Sequence, residues 1–143
     1  MVKHSNQNGF SLIELLIVVV VIGVVAAIAV PAYQRGIRAA ENGSTFAVLR
    51  SISSSQVMFF SQNSRFAKLD ELHRIMGGGM GVPAGDTVVR GPYVFELTSP
   101  EDQLSSGFTI TATRSTVNET VYKYELTQSG RIRRVLPAGG PPE

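Results

Sequence analysis

The sequence predicts an α+β protein in which a long N-terminal α-helix packs against a small antiparallel β-sheet. An apolar run at residues 15–30 continues into residues 32–62, where apolar side chains recur at steps of three and four, as on one face of a helix. Three later runs alternate apolar and polar side chains, which is typical of strands with one packed and one solvated face, and a fourth strand-like run follows a hairpin-turn signal at residues 128–130. The length of 143 residues allows one domain and little more.

Composition excludes several classes of site and partner. The chain has no cysteine, which excludes disulfides, zinc–thiolate centres and thiol catalysis. The two histidines, His4 and His73, are far apart in sequence, and we expect no metal site and no cofactor. The net charge of +2 is too small to favour nucleic acid as the main partner. No nucleophile, base and orienting group come together in the sequence, so we expect no enzyme activity.

The apolar N-terminal segment is long enough to cross a membrane. About 20 apolar residues span roughly 30 Å as a helix, the thickness of a bilayer's hydrocarbon core. A secretory signal peptide, with a small-x-small cleavage pattern at residues 27–29, and a plain transmembrane anchor are two interpretations. Neither explains Glu14, which is the only charged residue between positions 10 and 34. An ionised side chain near the centre of a bilayer costs about 2.5–3.5 kcal/mol.

The segment Gly9-Phe10-Ser11-Leu12-Ile13-Glu14 resembles the cleavage and methylation motif of type IV pilins and of the related pseudopilins of secretion systems. The likeness extends to a short polar leader, an apolar helix and Pro31. The resemblance implies that a prepilin peptidase/methyltransferase removes leader residues 1–9 by cutting between Gly9 and Phe10. It also implies N-methylation of Phe10, a type IV pilin-like fold, and a homo-oligomeric helical filament with the N-terminal helices in its core.

The resemblance also assigns Glu14 a role in assembly. Cleavage creates a cationic amine at Phe10, and N-methylation keeps that charge. A carboxylate at Glu14 can pair with this amine in its own chain or in a neighbour, and apolar surroundings tolerate a paired charge better than a lone one. The resemblance implies that this pairing sets the register of an entering subunit. The alternative is that Glu14 only reaches the lipid headgroups while the chain is in the membrane.

Pro31 predicts a kink in a helix that continues beyond it. Proline removes a helical hydrogen bond and clashes with the preceding turn, and Gly23 lowers helix propensity in the same segment. The alternative is that Pro31 marks the end of the span. The predicted segments are the leader 1–9, a hydrophobic transmembrane or filament-core helix 10–31, its amphipathic half 32–62, a globular head 63–136 and a flexible tail 137–143.

The amphipathic half is predicted to pack into the head through one stripe of side chains. The stripe consists of Phe46, Leu49, Ile52 or Ser53, Val57 and Phe60. A turn and a short second helix are predicted within residues 63–72, followed by a flexible glycine-rich loop at 77–81. The four predicted strands lie around residues 93–97, 108–112, 121–126 and 131–136.

The resemblance implies a structural subunit of a type IV pilus-like filament. Such a subunit crosses the bacterial inner membrane once, meets an assembly platform there, and ends in an extracellular pilus or a periplasmic pseudopilus. A type II secretion pseudopilin or a minor pilin shares the motif and is an alternative, as is a membrane-anchored binding domain that never polymerises. The three arginines Arg131, Arg133 and Arg134 are interpreted as a charged edge strand that discourages unwanted pairing, in preference to a DNA contact.

Overall fold

The computed structural model describes residues 9–115 and 120–137. Within them the chain has the predicted α+β class, with a long N-terminal helix and an antiparallel sheet. The leader up to Asn8 and the predicted tail beyond Pro137 lie outside the described residues. The helices are α1 (Leu12–Asn63) and α2 (Leu69–Ile75), and the strands are β1 (Val82–Ala84), β2 (Thr87–Arg90), β3 (Tyr93–Leu97), β4 (Thr109–Ser115), β5 (Thr120–Thr127) and β6 (Ile132–Leu136).

Helix α1 is 52 residues long and contains Pro31. It therefore continues past the proline, as predicted, and ends at Asn63. The chain divides into two compact units, residues 1–39 and 40–143. The first unit holds the N-terminal part of α1, and the second holds the rest of α1 together with α2 and the sheet.

The sheet is a meander of six antiparallel strands in which each strand pairs with its neighbours in sequence. The alternating pattern predicts β3, β4 and β5, and the turn signal at residues 128–130 predicts β6. Neither signal predicts β1 and β2, which have only three and four residues. Pro83 lies in β1, an edge strand, where a proline costs no ladder hydrogen bond. Gly81 has a φ of +137°, and a Cβ there would lie 2.4 Å from the carbonyl oxygen of Val89, so the entry to β1 requires glycine.

The glycine-rich segment is a series of hydrogen-bonded turns. Gly77 N–H donates to the carbonyl oxygen of Arg74 at 3.3 Å, and Gly81 N–H donates to that of Gly78 at 3.1 Å. Met80 within the segment is fully buried. These turns connect α2 to the β1–β2 hairpin that the sequence did not predict.

The hydrophobic core of the head lies between α1, α2 and one face of the sheet. Leu49 and Ile52 of α1 and Leu72 of α2 are fully buried. The sheet contributes the alternating residues of its packed face, which are Val88, Tyr93, Phe95, Ile110, Ala112, Tyr124 and Leu126. Period-two alternation in the strands thus locates the core face correctly.

The predicted stripe of α1 is partly wrong. Val57 is 63% exposed and Phe60 is 38% exposed, so neither is a core residue. The buried residues of α1 are Thr45, Val48, Leu49, Ile52 and Gln56. These positions keep the 3.6-residue period, whereas the step to Val57 moves to an adjacent face. The prediction followed apolar side chains, but a glutamine occupies the next buried position.

Gln56 is fully buried because the backbone of Ala67 satisfies its amide. The Nε2 of Gln56 donates to the carbonyl oxygen of Ala67 at 3.0 Å, and Ala67 N–H donates to Oε1 at 2.7 Å. Ala67 is itself fully buried. The pair ties the chain to α1 just after it reverses at Ser64, whose φ is +56°.

A second polar contact stabilises the start of α2. Arg65 donates two hydrogen bonds to the carboxylate of Glu71, at 2.7 and 2.8 Å, and Lys68 N–H donates to the same carboxylate at 2.8 Å. The hydrogen bonds from Arg65 lower the pKa of Glu71 to about 2, outweighing the opposite effect of burial. The backbone bond from Lys68 acts in the same direction. The ionised carboxylate therefore stabilises the folded head.

Candidate processing and assembly segment

The predicted scissile bond lies just ahead of helix α1. Residues 9–11 are non-helical, and α1 begins at Leu12. Phe10 is 83% exposed, and a Cβ at Gly9 would meet no atom within 4 Å. The Gly9–Phe10 bond is therefore in an open, irregular segment, the kind of backbone that a peptidase can bind in extended form.

Glu14 lies in the first turn of α1, and its carboxylate caps the helix. Ser11 N–H donates to Glu14 Oε2 at 2.9 Å, which is one half of a capping box. A negative charge in the first turn also interacts favourably with the positive end of the helix dipole. The carboxylate thus accepts from the residue that directly follows Phe10, close in sequence to the amine that cleavage would create.

Among the residues that the structure describes, none covers the apolar part of α1. Every large apolar side chain from Leu12 to Val30 is exposed, with values from 49% at Val18 to 89% at Leu12. By length and composition α1 can cross a membrane. A helix that is apolar on all sides requires lipid or other apolar helices around it.

Gly23 and Pro31 both lie inside this part of α1. A Cβ at Gly23 would meet no atom within 4 Å, so the glycine is not required for close packing within the chain. Arg35 Nε donates to the carbonyl oxygen of Pro31 at 3.4 Å, one turn after the proline. The kink predicted at Pro31 stays a prediction.

Two polar contacts join α1 to the sheet, and the sequence did not predict either of them. The carboxylate of Glu41 pairs with Arg114 of β4. Tyr93 Oη donates to Asn42 Oδ1 at 2.6 Å, and burial raises the pKa of Tyr93 well above its usual range. No sequence signal joins these residues, because their partners are 73 and 51 positions away.

The basic residues of β6 lie on an edge strand, as predicted. Arg133 pairs with Glu125 of β5 at 3.3 Å, and Arg131 lies just before the strand. Among the described residues, no group of histidine, cysteine, aspartate and glutamate side chains has the arrangement of a metal site.

The N-terminal segment of the chain matches a known protein-family model. The model described as the prokaryotic N-terminal methylation motif matches residues 4–30. The N-terminus of the chain therefore carries a prokaryotic N-terminal methylation motif. The match contains the predicted cleavage site, Glu14 and Gly23, and ends one residue before Pro31.

Curated proteins that are similar to this chain include type IV major pilins. A type IV major pilin of Neisseria gonorrhoeae is 28% identical over 129 residues, covering 90% of this chain and 65% of the relative. A type IV major pilin of Myxococcus xanthus is 37% identical over 64 residues, covering 45% of this chain and 29% of the relative. A type IV major fimbrial protein of Dichelobacter nodosus is 67% identical over 30 residues, covering 21% of this chain and 19% of the relative.

The chain spans less than two thirds of the length of each of these relatives, since the largest share is 65%. No solved structure matches the chain significantly. Sequence identity is 67% over the 30 residues matched to the Dichelobacter nodosus protein, and 28% over the 129 residues matched to the Neisseria gonorrhoeae protein.

Proposed function

We propose that the chain is a structural subunit of a type IV pilus-like filament. The observation that carries the proposal is the N-terminal methylation motif at residues 4–30, within which every large apolar side chain from Leu12 to Val30 is exposed. Parallel packing of such helices from many copies would remove this apolar surface from water. The head, with its own core, would stay outside the bundle.

Assembly in this proposal begins with processing. A prepilin peptidase/methyltransferase removes residues 1–9 and methylates the amine of Phe10, which leaves 10–31 as the membrane and filament-core segment. The subunit crosses the inner membrane once, is taken up by an assembly platform and ends in a surface filament. The major pilins among the relatives favour a pilus subunit over a pseudopilin.

Mass spectrometry of the mature N-terminus tests the processing step. We expect a chain that starts at N-methylated Phe10. A chain that keeps Met1, or one that starts at Val30 after a signal-peptide cut, contradicts the proposal. Recovery of the chain from sheared surface fibres would support a pilus. Recovery only as a membrane-anchored monomer, with the segment 10–31 intact, would contradict polymerisation.

The role of Glu14 in this proposal is tested by separating its charge from its capping bond. Glu14→Gln keeps an oxygen that can accept from Ser11 N–H, so the helix start is preserved, but it removes the charge that would pair with the Phe10 amine. We expect normal insertion and cleavage and no filaments, as for Glu14→Val. Glu14→Asp keeps the charge and should retain part of the assembly. Normal filaments from Glu14→Gln contradict the pairing.

A further inference from the structure

A small group of polar side chains marks the end of the apolar segment of α1. Tyr33 is 72% exposed, Arg35 is exposed and Arg38 is half-buried. Arg35 and Arg38 are three residues apart on the helix, so they project from the same face. They are the only charged residues between positions 15 and 40.

Neither arginine has a carboxylate partner within residues 9–115 and 120–137. Arg35 uses only Nε, in the 3.4 Å bond to the carbonyl oxygen of Pro31, which leaves its two terminal nitrogens available. The next acidic residue along the helix is Glu41, and its carboxylate already pairs with Arg114. The two guanidinium groups therefore present donors without a local acceptor.

Their position along α1 matches the far side of a bilayer. Glu14 and Arg35 are separated by roughly 31 Å of helix, against about 30 Å of hydrocarbon core. With Glu14 at one headgroup level, Arg35 reaches the other. Tyrosine is enriched at this depth because its ring is apolar and its hydroxyl is wet, and Tyr33 lies there.

We propose that Arg35 and Arg38 form a binding site for the phosphate of an anionic phospholipid, with Tyr33 as an interfacial anchor at the same depth on another face of the helix. The inference rests on the proposed function, which places the subunit in a membrane before assembly. A guanidinium group suits the site because its planar fork can donate two hydrogen bonds to phosphate oxygens. A lipid without a compensating cation in its headgroup attracts the pair most strongly.

The site fixes how deeply the helix inserts. Helix α1 continues far beyond one hydrocarbon thickness, so its length does not determine where it leaves the membrane. Two charges that hold a lipid phosphate define that point. They also oppose withdrawal of the subunit, because removal from the bilayer breaks the contact.

Lipid selectivity of the full chain tests the proposal. The chain is reconstituted into vesicles of equimolar phosphatidylcholine and phosphatidylglycerol, and spin-labelled forms of each lipid report their association with the protein. We expect wild type to prefer phosphatidylglycerol and the R35Q/R38Q variant to lose about fivefold of that preference, the equivalent of about 1 kcal/mol. R35K/R38K should keep only part of the preference, because it keeps both charges but loses the planar fork. High salt should weaken it in wild type.

Arg50→Gln is the matched control, since Arg50 is an exposed arginine farther along the same helix. It should leave the preference unchanged. A wild-type chain that inserts without preferring phosphatidylglycerol overturns the lipid site, as does a preference that survives in R35Q/R38Q or is lost equally in Arg50→Gln. Failure of the wild-type chain to insert into any vesicle contradicts the membrane stage of the proposed function instead.

Discussion

Replacing Gln56 with leucine should lower the free energy of unfolding of the head by about 1–4 kcal/mol. The Gln56 side chain is fully buried, and both of its hydrogen bonds join the buried backbone of Ala67. Leucine would leave one N–H and one carbonyl without partners, at about 1–3 kcal/mol each. The extra apolar burial of leucine offsets about 1–2 kcal/mol of this loss.

Urea denaturation of the full chain in detergent micelles, followed by the near-ultraviolet circular dichroism of the tyrosines, measures this loss. Gln62→Leu is the control, because Gln62 is exposed on the same helix, and its effect should stay within about 0.5 kcal/mol. Equal stabilities of Gln56→Leu and Gln62→Leu would refute the reasoning.

The charge variant Gln56→Glu adds a pH test of the same site. It keeps an acceptor for Ala67 N–H but sets a carboxylate against the Ala67 carbonyl oxygen. Burial and the facing carbonyl oxygen raise the pKa of such a carboxylate in the folded state above its unfolded value, and they outweigh the single hydrogen bond from Ala67 N–H. The variant should therefore be least stable at neutral pH and regain stability as the pH falls through the raised pKa. A stability that does not change with pH relative to wild type would contradict burial of this position.

Three further outcomes are expected from the head. The pKa of Glu71 is lowered to about 2 from an ordinary 4.5, so its contribution to the free energy of unfolding is complete above pH 4.5 and is lost as the pH falls towards 2. Glu71→Gln should therefore make the free energy of unfolding less dependent on pH in that window. Asp70→Asn, in an exposed ion pair, should not. Gly81→Ala should cost more than about 2 kcal/mol in denaturant titration, because its Cβ meets a carbonyl oxygen, while Gly85→Ala, with open space around it, should cost about 1 kcal/mol. The phenol of Tyr93 should ionise at higher pH than free tyrosine in absorbance titration. Tyr93→Phe should lower the free energy of unfolding by about 1 kcal/mol, because it removes the hydrogen bond to Asn42. If all the tyrosines ionised at the same pH, the burial of Tyr93 would be contradicted.

The elements with strong periodicity were predictable from the sequence. The apolar run and its continuation predict one long helix, and α1 is such a helix. Alternation predicts β3, β4 and β5 and their packed faces, and the turn signal at residues 128–130 predicts the hairpin into β6. The prepilin motif could be identified because its residues are adjacent in sequence, so no tertiary contact is needed to bring them together.

The missed features depend on tertiary contacts. A three-residue strand such as β1 shows no alternation, and its proline argues against a strand until its edge position is known. Gln56 resembles a surface residue in sequence, and only the distant Ala67 backbone makes its burial favourable. Selection of apolar residues alone therefore shifted the predicted stripe to Val57, which is exposed.

The meander order of the sheet has a consequence for how the head folds. Every strand pairs with a strand next to it in the chain, so the contacts within the sheet join neighbouring segments and its contact order is low. The contacts from Arg114 to Glu41 and from Tyr93 to Asn42 close much longer loops, and such closures cost more chain entropy. We expect the hairpins to form first and the helix to dock last. In the proposed function, the sheet therefore begins to form while the N-terminal part of α1 is still in the membrane.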